Sequence, residues 1–429
     1  HHWLLVGLIG LTFALRMLGL DAESLWRDEV DAVRFAIQPL GDLLGFFVVP
    51  GQNGPLYYLL LRPWLHLAGH SELALRFLSL AFGTLTVPLV YRLGRRLFPT
   101  LPSLALLAAL LTAGSPYLVW YSREGKMYTL AVALVLFSMD RYLAALERGG
   151  WHRWLLYVVG TSAAFYVHLI AALMVPAQAL LFFLQGSETR QSRWKPWLAS
   201  MAVLTVPYLP LLSWQLPLIL NPSDSTGYQF VSLPRMLHSL LANYSMGVMH
   251  GDVLWSLALF VGLLLAAGMI WRGQKDRLRS LAILLCWLLV PLLLFFLITL
   301  VRPIYTARYL IFVLPAYLLL LSVGLVAIWR HSRLLASLWL VLLLVSNARG
   351  IWVQARTPLK ADFRGATGYV AGRMAPSDLL LFQIPYGRHS FDYYYEYARL
   401  SSQPEPAVWV GDGGFKVFLP LVLGGGGEA

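Results

Sequence analysis

Residues 281–301 read LAILLCWLLVPLLLFFLITLV and contain no Asp, Glu, Lys or Arg. A helix of about 20 apolar residues is long enough to cross the ~30 Å hydrocarbon layer of a bilayer. Two further charge-free stretches, residues 253–270 and 309–328, lie on either side of it along the chain. The three stretches predict consecutive membrane-spanning helices.

The composition of the whole chain leads to the same class of protein. Of its 429 residues, 58% are hydrophobic and 13% are charged, and the mean hydropathy is +0.65. One water-soluble globule cannot bury this much apolar surface, so lipid must cover part of it. The single cysteine, Cys286, lies inside an apolar stretch and provides neither a disulfide framework nor a thiolate metal site.

The other apolar runs extend this pattern to an all-α polytopic membrane protein of about eleven transmembrane helices. The run that starts at Leu4 has no basic leader and no small-residue cleavage site, so we interpret it as an uncleaved first helix. The predicted helices lie near residues 3–20, 72–93, 101–118, 127–145, 154–168, 169–185, 197–215, 253–271, 281–300, 309–329 and 334–347.

Basic residues supply the predicted orientation, because short loops rich in Lys and Arg stay in the cytoplasm. Such clusters fall at every second predicted connection, near residues 92–96, 141–153, 190–195, 272–279 and 330–333. We therefore expect a multi-pass protein of the plasma (inner) membrane with a cytoplasmic N-terminus and an extracytoplasmic C-terminus. The net charge of +12 is explained by these clusters and does not indicate a nucleic-acid partner.

Two outer regions are predicted to carry structure of their own. The loop 21–71 contains two apolar segments, 40–49 and 55–67, that are too short to span and are expected to lie along the interface. Residues 1–346 then form a transmembrane module. Residues 347–429 combine helix-like, strand-like and aromatic stretches and predict a small extracytoplasmic α/β domain.

Charged residues concentrate in three predicted outer motifs: Trp26-Arg27-Asp28-Glu29-Val30-Asp31, Trp120-Tyr121-Ser122-Arg123-Glu124-Gly125-Lys126-Met127-Tyr128 and Val301-Arg302-Pro303-Ile304-Tyr305-Thr306-Ala307-Arg308-Tyr309. A carboxylate held among aromatic rings can act as a general base, although acids in an outer loop also serve simply to solvate it. Basic residues on the outer side are unexpected, because Lys and Arg are enriched in cytoplasmic loops. They are explained either by snorkelling at the interface or by an anionic ligand such as a phosphate.

Neither the histidines nor any nucleotide-binding motif indicates a further functional site. His168, at a predicted outer helix end, could bind a ligand or a metal, but a hydrogen-bonded helix terminus is the commoner role for such a residue. The remaining histidines lack the spacing of metal ligands, so the sequence predicts no metal site. Walker, dinucleotide-binding and nucleophile-elbow motifs are absent.

Four segments together resemble the polyprenyl-phosphate-sugar-dependent glycosyltransferases of the GT-C fold, which include protein O-mannosyltransferases and lipid A aminoarabinose transferases. The segments cover most of residues 1–330, and the acid pair in the first outer loop is the most specific of them. They are Leu25-Trp26-Arg27-Asp28-Glu29; Gly54-Pro55-Leu56-Tyr57-Tyr58 with residues 72–98; Tyr121-Ser122-Arg123-Glu124-Gly125-Lys126-Met127-Tyr128; and Tyr305-Thr306-Ala307-Arg308-Tyr309.

The resemblance implies a membrane hexosyl- or pentosyltransferase of the cell envelope. Its donor would be a sugar linked to polyprenyl phosphate, such as undecaprenyl phosphate, and its acceptor a hydroxyl of a lipid, a glycan or a protein on the extracytoplasmic face. It also implies transfer with inversion, with the catalytic acid pair at Asp28 and Glu29 and with Asp28 as the general base.

The departing lipid phosphate needs positive charge rather than a proton. Candidate donor-phosphate ligands are the outer bases Arg308, Lys126, Arg123 and Arg302. Candidate contacts to the sugar and the lipid are Trp26, Asn53, Tyr57, Tyr58, Glu124, Tyr128, His168 and Tyr305.

The chain departs from the family pattern at two places. Gln52-Asn53-Gly54-Pro55 stands where many relatives carry His-Pro-Pro or Glu-Lys-Pro, and Lys126 stands where an arginine is usual. No cofactor is predicted, and dependence on a divalent metal stays open. The alternative function is a lipid or sugar transporter or flippase. Transporters bury ionisable groups at mid-membrane, whereas here these groups gather at one face.

Overall fold

The computed structural model describes residues 2–48, 53–210, 227–248, 275–375, 378–397 and 407–410. These residues are mostly helical. The α-helices are α1 (His2–Met17), α2 (Arg27–Ile37), α3 (Leu40–Gly45), α4 (Pro55–Ala68), α5 (Glu72–Leu97), α6 (Pro102–Ala113), α7 (Pro116–Ser122), α8 (Tyr128–Arg148), α9 (Trp151–Val167), α10 (Met174–Phe183), α11 (Ser187–Thr205), α12 (Leu233–Met246), α13 (Lys275–Val301), α14 (Leu314–His331), α15 (Arg333–Arg356), α16 (Phe363–Ala371) and α17 (Pro385–Tyr397). Short 3₁₀ helices occupy Leu169–Leu173, Val206–Tyr208 and Ala307–Val313.

The described residues contain fewer full-length spans than the sequence predicted. Five helices are long and apolar enough to cross a membrane, or six if the bent pair α6 and α7 is counted as one span. Two shorter apolar helices, Trp3–Met17 and Leu169–Phe183, lie outside that set. The predicted helix 253–271 and the end of the predicted helix 197–215 fall outside the described residues. The predicted number of about eleven is therefore not confirmed.

Prolines explain where predicted single helices divide. The predicted helix 101–118 consists of α6 and α7, which meet at an angle of 54°. Ser115 starts the second of them, because its hydroxyl accepts a hydrogen bond from the backbone N–H of Leu118 at 3.4 Å and Pro116 follows at the first helical position. Likewise, Pro315 opens α14 behind a separate 3₁₀ helix. The apolar runs of the sequence indicate the length of a hydrophobic segment but not where the helix within it breaks.

Helix α15 is longer than predicted. The apolar run stops near residue 347, yet the helix continues to Arg356 through polar residues. Beyond it, α16 and α17 are joined by the strand β1 (Leu379–Phe382), which pairs in parallel with β2 (Ala407–Val410). Helices and strands are therefore both present in this region, and its existence as a separate domain stays a prediction.

The end of α15 leads into a segment, residues 357–364, that we call the strap. It is bonded along its length to the loop after α1. The backbone N–H of Leu359 donates to Glu23 at 3.0 Å, and the hydroxyl of Ser24 donates to the carbonyl of Ala361 at 2.8 Å. The guanidinium of Arg364 pairs with Glu72 at 3.2 Å. The strap thus lies against the start of α2, where the predicted catalytic acids are.

Candidate active site

A cavity of about 870 Å³ lies between the start of α2, the turn before α8, the 3₁₀ helix Ala307–Val313 and the strap. We call it the main cavity. Its volume is typical of small-ligand pockets, which enclose ~300–1,000 Å³. It is lined by Trp26, Arg27, Asp28, Phe35, Asn53, Tyr58, Trp120, Tyr121, Glu124, Lys126, Met127, Tyr128, Tyr228, Arg308, Tyr309, Leu359, Lys360, Ala361 and Phe363.

Asp28 and Arg308 meet in this cavity. Asp28 lies in the first turn of α2, where the positive end of the helix dipole favours a carboxylate. Its Oδ2 lies 3.4 Å from Nη1 of Arg308. The Arg308 guanidinium also lies 5.7 Å from the ring centres of Trp26 and Tyr128. Its Nε is buried without a hydrogen-bond partner, so this cation retains a free donor.

Lys126 is the second cation of the main cavity. It is 7% exposed, and its Nζ lies 3.5 Å from the hydroxyl of Tyr58 and 5.8 Å from that ring's centre. The tight turn that carries it depends on Gly125, because a Cβ there would come within 2.5 Å of Leu75. An ammonium with one long hydrogen bond to a phenol keeps donors available for an anion.

Glu124 is an acid of unusual environment in the same cavity. It is 2% exposed, and its Oε1 has no hydrogen-bond partner. Burial raises the pKa of this carboxyl to about 7, against the lowering effect of Lys360. The side chain can therefore change its protonation state near neutral pH, and it offers an unused polar atom to a ligand.

Glu29 occupies a different environment from Asp28. It is fully buried and does not line the main cavity. Its two carboxylate oxygens accept from Arg76 at 2.8 and 2.9 Å, from Lys360 at 2.9 Å and from the Gly125 N–H at 2.8 Å. Burial alone would raise its pKa, but the charges of Lys360 and Arg76 lower the pKa to about 2. This carboxylate joins α2, α5, the turn before α8 and the strap.

The structure brings some of the predicted contact residues to the main cavity and places others elsewhere. Those that line it, besides the residues above, are Trp26, Asn53, Tyr58 and Tyr128. Tyr57 is buried beside Ser79, and the hydroxyl of Tyr305 donates to the Met236 carbonyl at 3.2 Å. His168 is buried between the rings of Tyr128 and Tyr309.

Two of the four predicted phosphate-binding bases also lie outside the main cavity. Arg302 directly follows the last residue of α13 and lines neither the main cavity nor the smaller cavity beside it. Arg123 lines a smaller neighbouring cavity and donates to the carbonyl of Leu15 at 2.7 Å. The turn at Gly125 separates it from Lys126, so two bases of one motif serve different cavities.

Sequence reasoning missed several cavity residues. Trp120 and Tyr309 stand inside quoted motifs and could have been found there. Lys360 of the strap belongs to no motif, and its position depends on a contact with the distant Glu29. Among the described residues, no group of three His, Cys, Asp or Glu side chains is placed to hold a metal ion.

Comparisons with known proteins bear on this arrangement. Residues 52–214 match the family model of dolichyl-phosphate-mannose-protein mannosyltransferases. ArnT from Cupriavidus metallidurans bound to undecaprenyl phosphate has a similar structure, with a TM-score of 0.61 and 12% identity over 95% of this chain and 86% of that one. The chain shares the GT-C fold. The resemblance seen in the sequence is thereby confirmed.

A second solved structure gives the same fold. The oligosaccharyltransferase AglB from Archaeoglobus fulgidus, in complex with an inhibitory peptide and a dolichol-phosphate, has a TM-score of 0.58 and 13% identity. The match covers 92% of this chain and 59% of AglB, so that protein contains a large part without a counterpart here. No curated protein sequence matches the chain.

Proposed function

We propose that this protein is a membrane glycosyltransferase that moves a sugar from a polyprenyl-phosphate donor to a hydroxyl acceptor on the extracytoplasmic face, with inversion. The observation that carries the proposal is the meeting of Asp28 and Arg308, at 3.4 Å, in one cavity. A carboxylate that accepts a proton and a cation that receives a phosphate are the two groups this reaction requires.

In the proposed reaction Asp28 takes the proton of the acceptor hydroxyl. The acceptor oxygen then attacks the anomeric carbon from the side opposite the phosphate, and the bond between that carbon and the phosphate oxygen breaks. The bonding electrons stay on the oxygen, which leaves as part of a lipid monophosphate. Arg308 and Lys126 line the cavity as the cations that would stabilise this added negative charge.

The contact between Asp28 and Arg308 then has a role before the reaction. The phosphate of the donor would compete with Asp28 for the guanidinium, since both are anions that prefer its paired N–H groups. Binding of the donor would thus release Asp28 toward the acceptor. The unpartnered Nε of Arg308 supplies one of the donors for the phosphate.

Glu29 belongs to the acid pair by sequence, but we propose that it acts by position rather than by touching the substrates. Its oxygens are occupied by Arg76, Lys360 and the Gly125 N–H. Through these bonds it fixes the first turn of α2 and the turn that carries Glu124 and Lys126. Trp26, Tyr58 and Tyr128 would contact the sugar or the isoprenoid.

The test is the Asp28→Asn variant. A general base contributes ~100- to 10,000-fold, so we expect kcat for transfer from a lipid-linked sugar to fall by at least about 100-fold. Asp31→Asn is the matched control, because Asp31 lies on the same helix, forms ion pairs with Arg27 at 3.8 Å and Arg34 at 3.5 Å, and does not line the main cavity. Full transfer by Asp28→Asn, at wild-type expression, would refute the mechanism.

A further inference from the structure

The second cavity, of about 230 Å³, lies beside the main one. Trp120 and Lys360 line both cavities and form the partition between them. The other walls of the second cavity are the loop after α1, the side chains of Arg76 and Arg123, and the segment Gln354 to Pro358 at the end of α15. A water molecule takes about 30 Å³, so the space accommodates a headgroup rather than a whole glycolipid.

The charge around the second cavity is unbalanced toward positive. Arg76 and Lys360 are neutralised in part by Glu29, which they share. Arg123 and Arg356 also line the cavity, and neither forms an ion pair among the described residues. Glu23 is the acid of the lining, and its carboxylate accepts from the backbone of the strap.

Arg123 has an incomplete set of hydrogen-bond partners. It donates through Nη2 to the carbonyl of Leu15, but its Nε is buried without any hydrogen-bond partner. Burial lowers the pKa of this guanidinium, which means that the protein does not fully compensate its lost hydration. Arg123 is partly buried, and the charge of Glu23 compensates its lost hydration only in part. An anion beside the guanidinium would offset more of this cost.

A second buried arginine strengthens this charge excess. Arg16 of α1 is fully buried, and its guanidinium donates to the hydroxyl of Ser122 at 2.9 Å and to the carbonyl of Ala113 at 3.1 Å. Its partners are neutral oxygens, and no carboxylate of the described residues lies within ion-pair distance. Arg16 does not line the second cavity, but it lies near enough to Arg123 for the two charges to interact, so it adds positive charge beside the cavity.

We propose that the second cavity binds an anionic group, such as a phosphate, of the acceptor substrate. The inference rests on the proposed transferase function, because the partition of Trp120 and Lys360 puts this anion next to the cavity that holds Asp28. An acceptor that spans the partition would have its hydroxyl at Asp28 and its anion between Arg123 and Arg356. The site would therefore select acceptors that carry negative charge near the hydroxyl.

The first test is binding of inorganic phosphate to the full chain in maltoside detergent, measured by titration calorimetry. We expect two phosphates per wild-type chain, one in each cavity. Arg123→Gln should lose one of them and Lys126→Met the other. The inference is overturned if Arg123→Gln still binds two phosphates. It is also overturned if the wild type binds only one phosphate and Lys126→Met alone abolishes that binding. Because this arm needs no sugar transfer, its result is independent of the proposed function.

Surface variants keep the test valid if the loss of the partly buried Arg123 prevents folding. Arg356 and Arg349 are both exposed and both on α15, but only Arg356 lines the cavity. Arg356→Gln should weaken the second phosphate site about 10-fold, which is typical of a charged hydrogen bond, whereas Arg349→Gln should not. Equal effects of the two variants would show that the cavity has no specific anion site.

A kinetic arm separates an acceptor anion from the headgroup of a bilayer lipid. Membrane lipid extract serves as the acceptor, with and without phosphatase treatment, and the protein is placed in nanodiscs of varied phosphatidylglycerol content. Removal of phosphate monoesters should raise the acceptor KM about 10-fold in the wild type and far less in Arg356→Gln. A rate that follows phosphatidylglycerol content and ignores phosphatase treatment would assign the site to a bilayer lipid and overturn the inference.

Discussion

Asp28 and Arg308 stand 280 positions apart in the chain, yet their side chains lie 3.4 Å apart in the main cavity. The pair joins the first turn of α2 to the 3₁₀ helix before α14. Both side chains line the cavity, so both are available to a ligand. The proposed roles of Asp28 as base and Arg308 as phosphate ligand account for their proximity.

The role of Arg308 can be tested against a neighbouring arginine of the same motif. Arg308→Lys retains the charge but loses the fork that grips two phosphate oxygens. We expect kcat/KM for the lipid-linked donor to fall about 100-fold, as when one oxyanion ligand is removed. Arg302→Lys, outside both cavities, should change it little. Equal losses in both variants would mean that Arg308 has no special role.

Glu124 predicts a pH dependence of donor binding. Its pKa of about 7 lies well above the ordinary value, chiefly because the carboxyl is buried, and Lys360 and Arg308 face it together with the acids Glu29 and Asp28. A neutral carboxyl can donate a hydrogen bond to the donor, whereas its anion would repel the phosphate. We therefore expect the donor KM to rise as the pH increases above about 7. In Glu124→Gln the KM should stay flat across this range, and a retained rise would assign it to another group.

The same shift affects stability with a definite sign. The folded pKa of Glu124 lies above that of the unfolded chain, so the folded state holds more protons between pH 4.5 and about 7. The contribution of this group is complete below that window and is lost as the pH rises through it. Glu29, with its lowered pKa, behaves in the opposite way and loses its contribution as the pH falls toward about 2.

Glu29 predicts a stability loss that Asp31, on the same helix, does not. Glu29→Gln leaves Arg76 and Lys360 without their shared anion, and removal of one partner of a buried pair costs about 3–5 kcal/mol. We expect a clear fall in the melting temperature of the purified protein. Asp31 is partly exposed, and exposed pairs contribute ~0–1 kcal/mol, so Asp31→Asn should melt close to the wild type. Similar melting of both variants would contradict the anchoring role.

The sequence predicted the parts of this site that repeat a local pattern. The acid pair after the first helix and the basic residues of two predicted outer turns were found because charged residues are few in this apolar chain and basic residues are disfavoured on the outer side. The local sequence pattern did not distinguish the bases that line the main cavity, Arg308 and Lys126, from Arg302 and Arg123, which do not. Which base points into which cavity depends on how each turn is folded, and the close contact of Gly125 with Leu75 is invisible in the order of residues.

The prediction of helix breaks and helix ends from the sequence was limited for a different reason. Hydropathy registers the length of an apolar run, and it treats α6 and α7 as one segment although Gly114, Ser115 and Pro116 break it. It also ended α15 too early, because polar residues continue the helix without lengthening the apolar run. Turn and cap residues carry this information, and they act on one or two positions rather than on a window.

Lys360 gives the last prediction, since no sequence pattern marked it. Its Nζ lies 2.9 Å from Glu29, although 331 positions separate the two residues, and it lies 5.7 Å from the ring centre of Trp120. Lys360→Met would remove one of the two cations on Glu29 and also the positive charge that lowers the pKa of Glu124. We expect the pH at which the donor KM rises to move upward, because Glu124 would stay protonated to higher pH. Lys360→Arg should restore the wild-type profile. A profile that does not move in Lys360→Met, in protein that melts normally, would show that the strap covers the cavity without setting its charge.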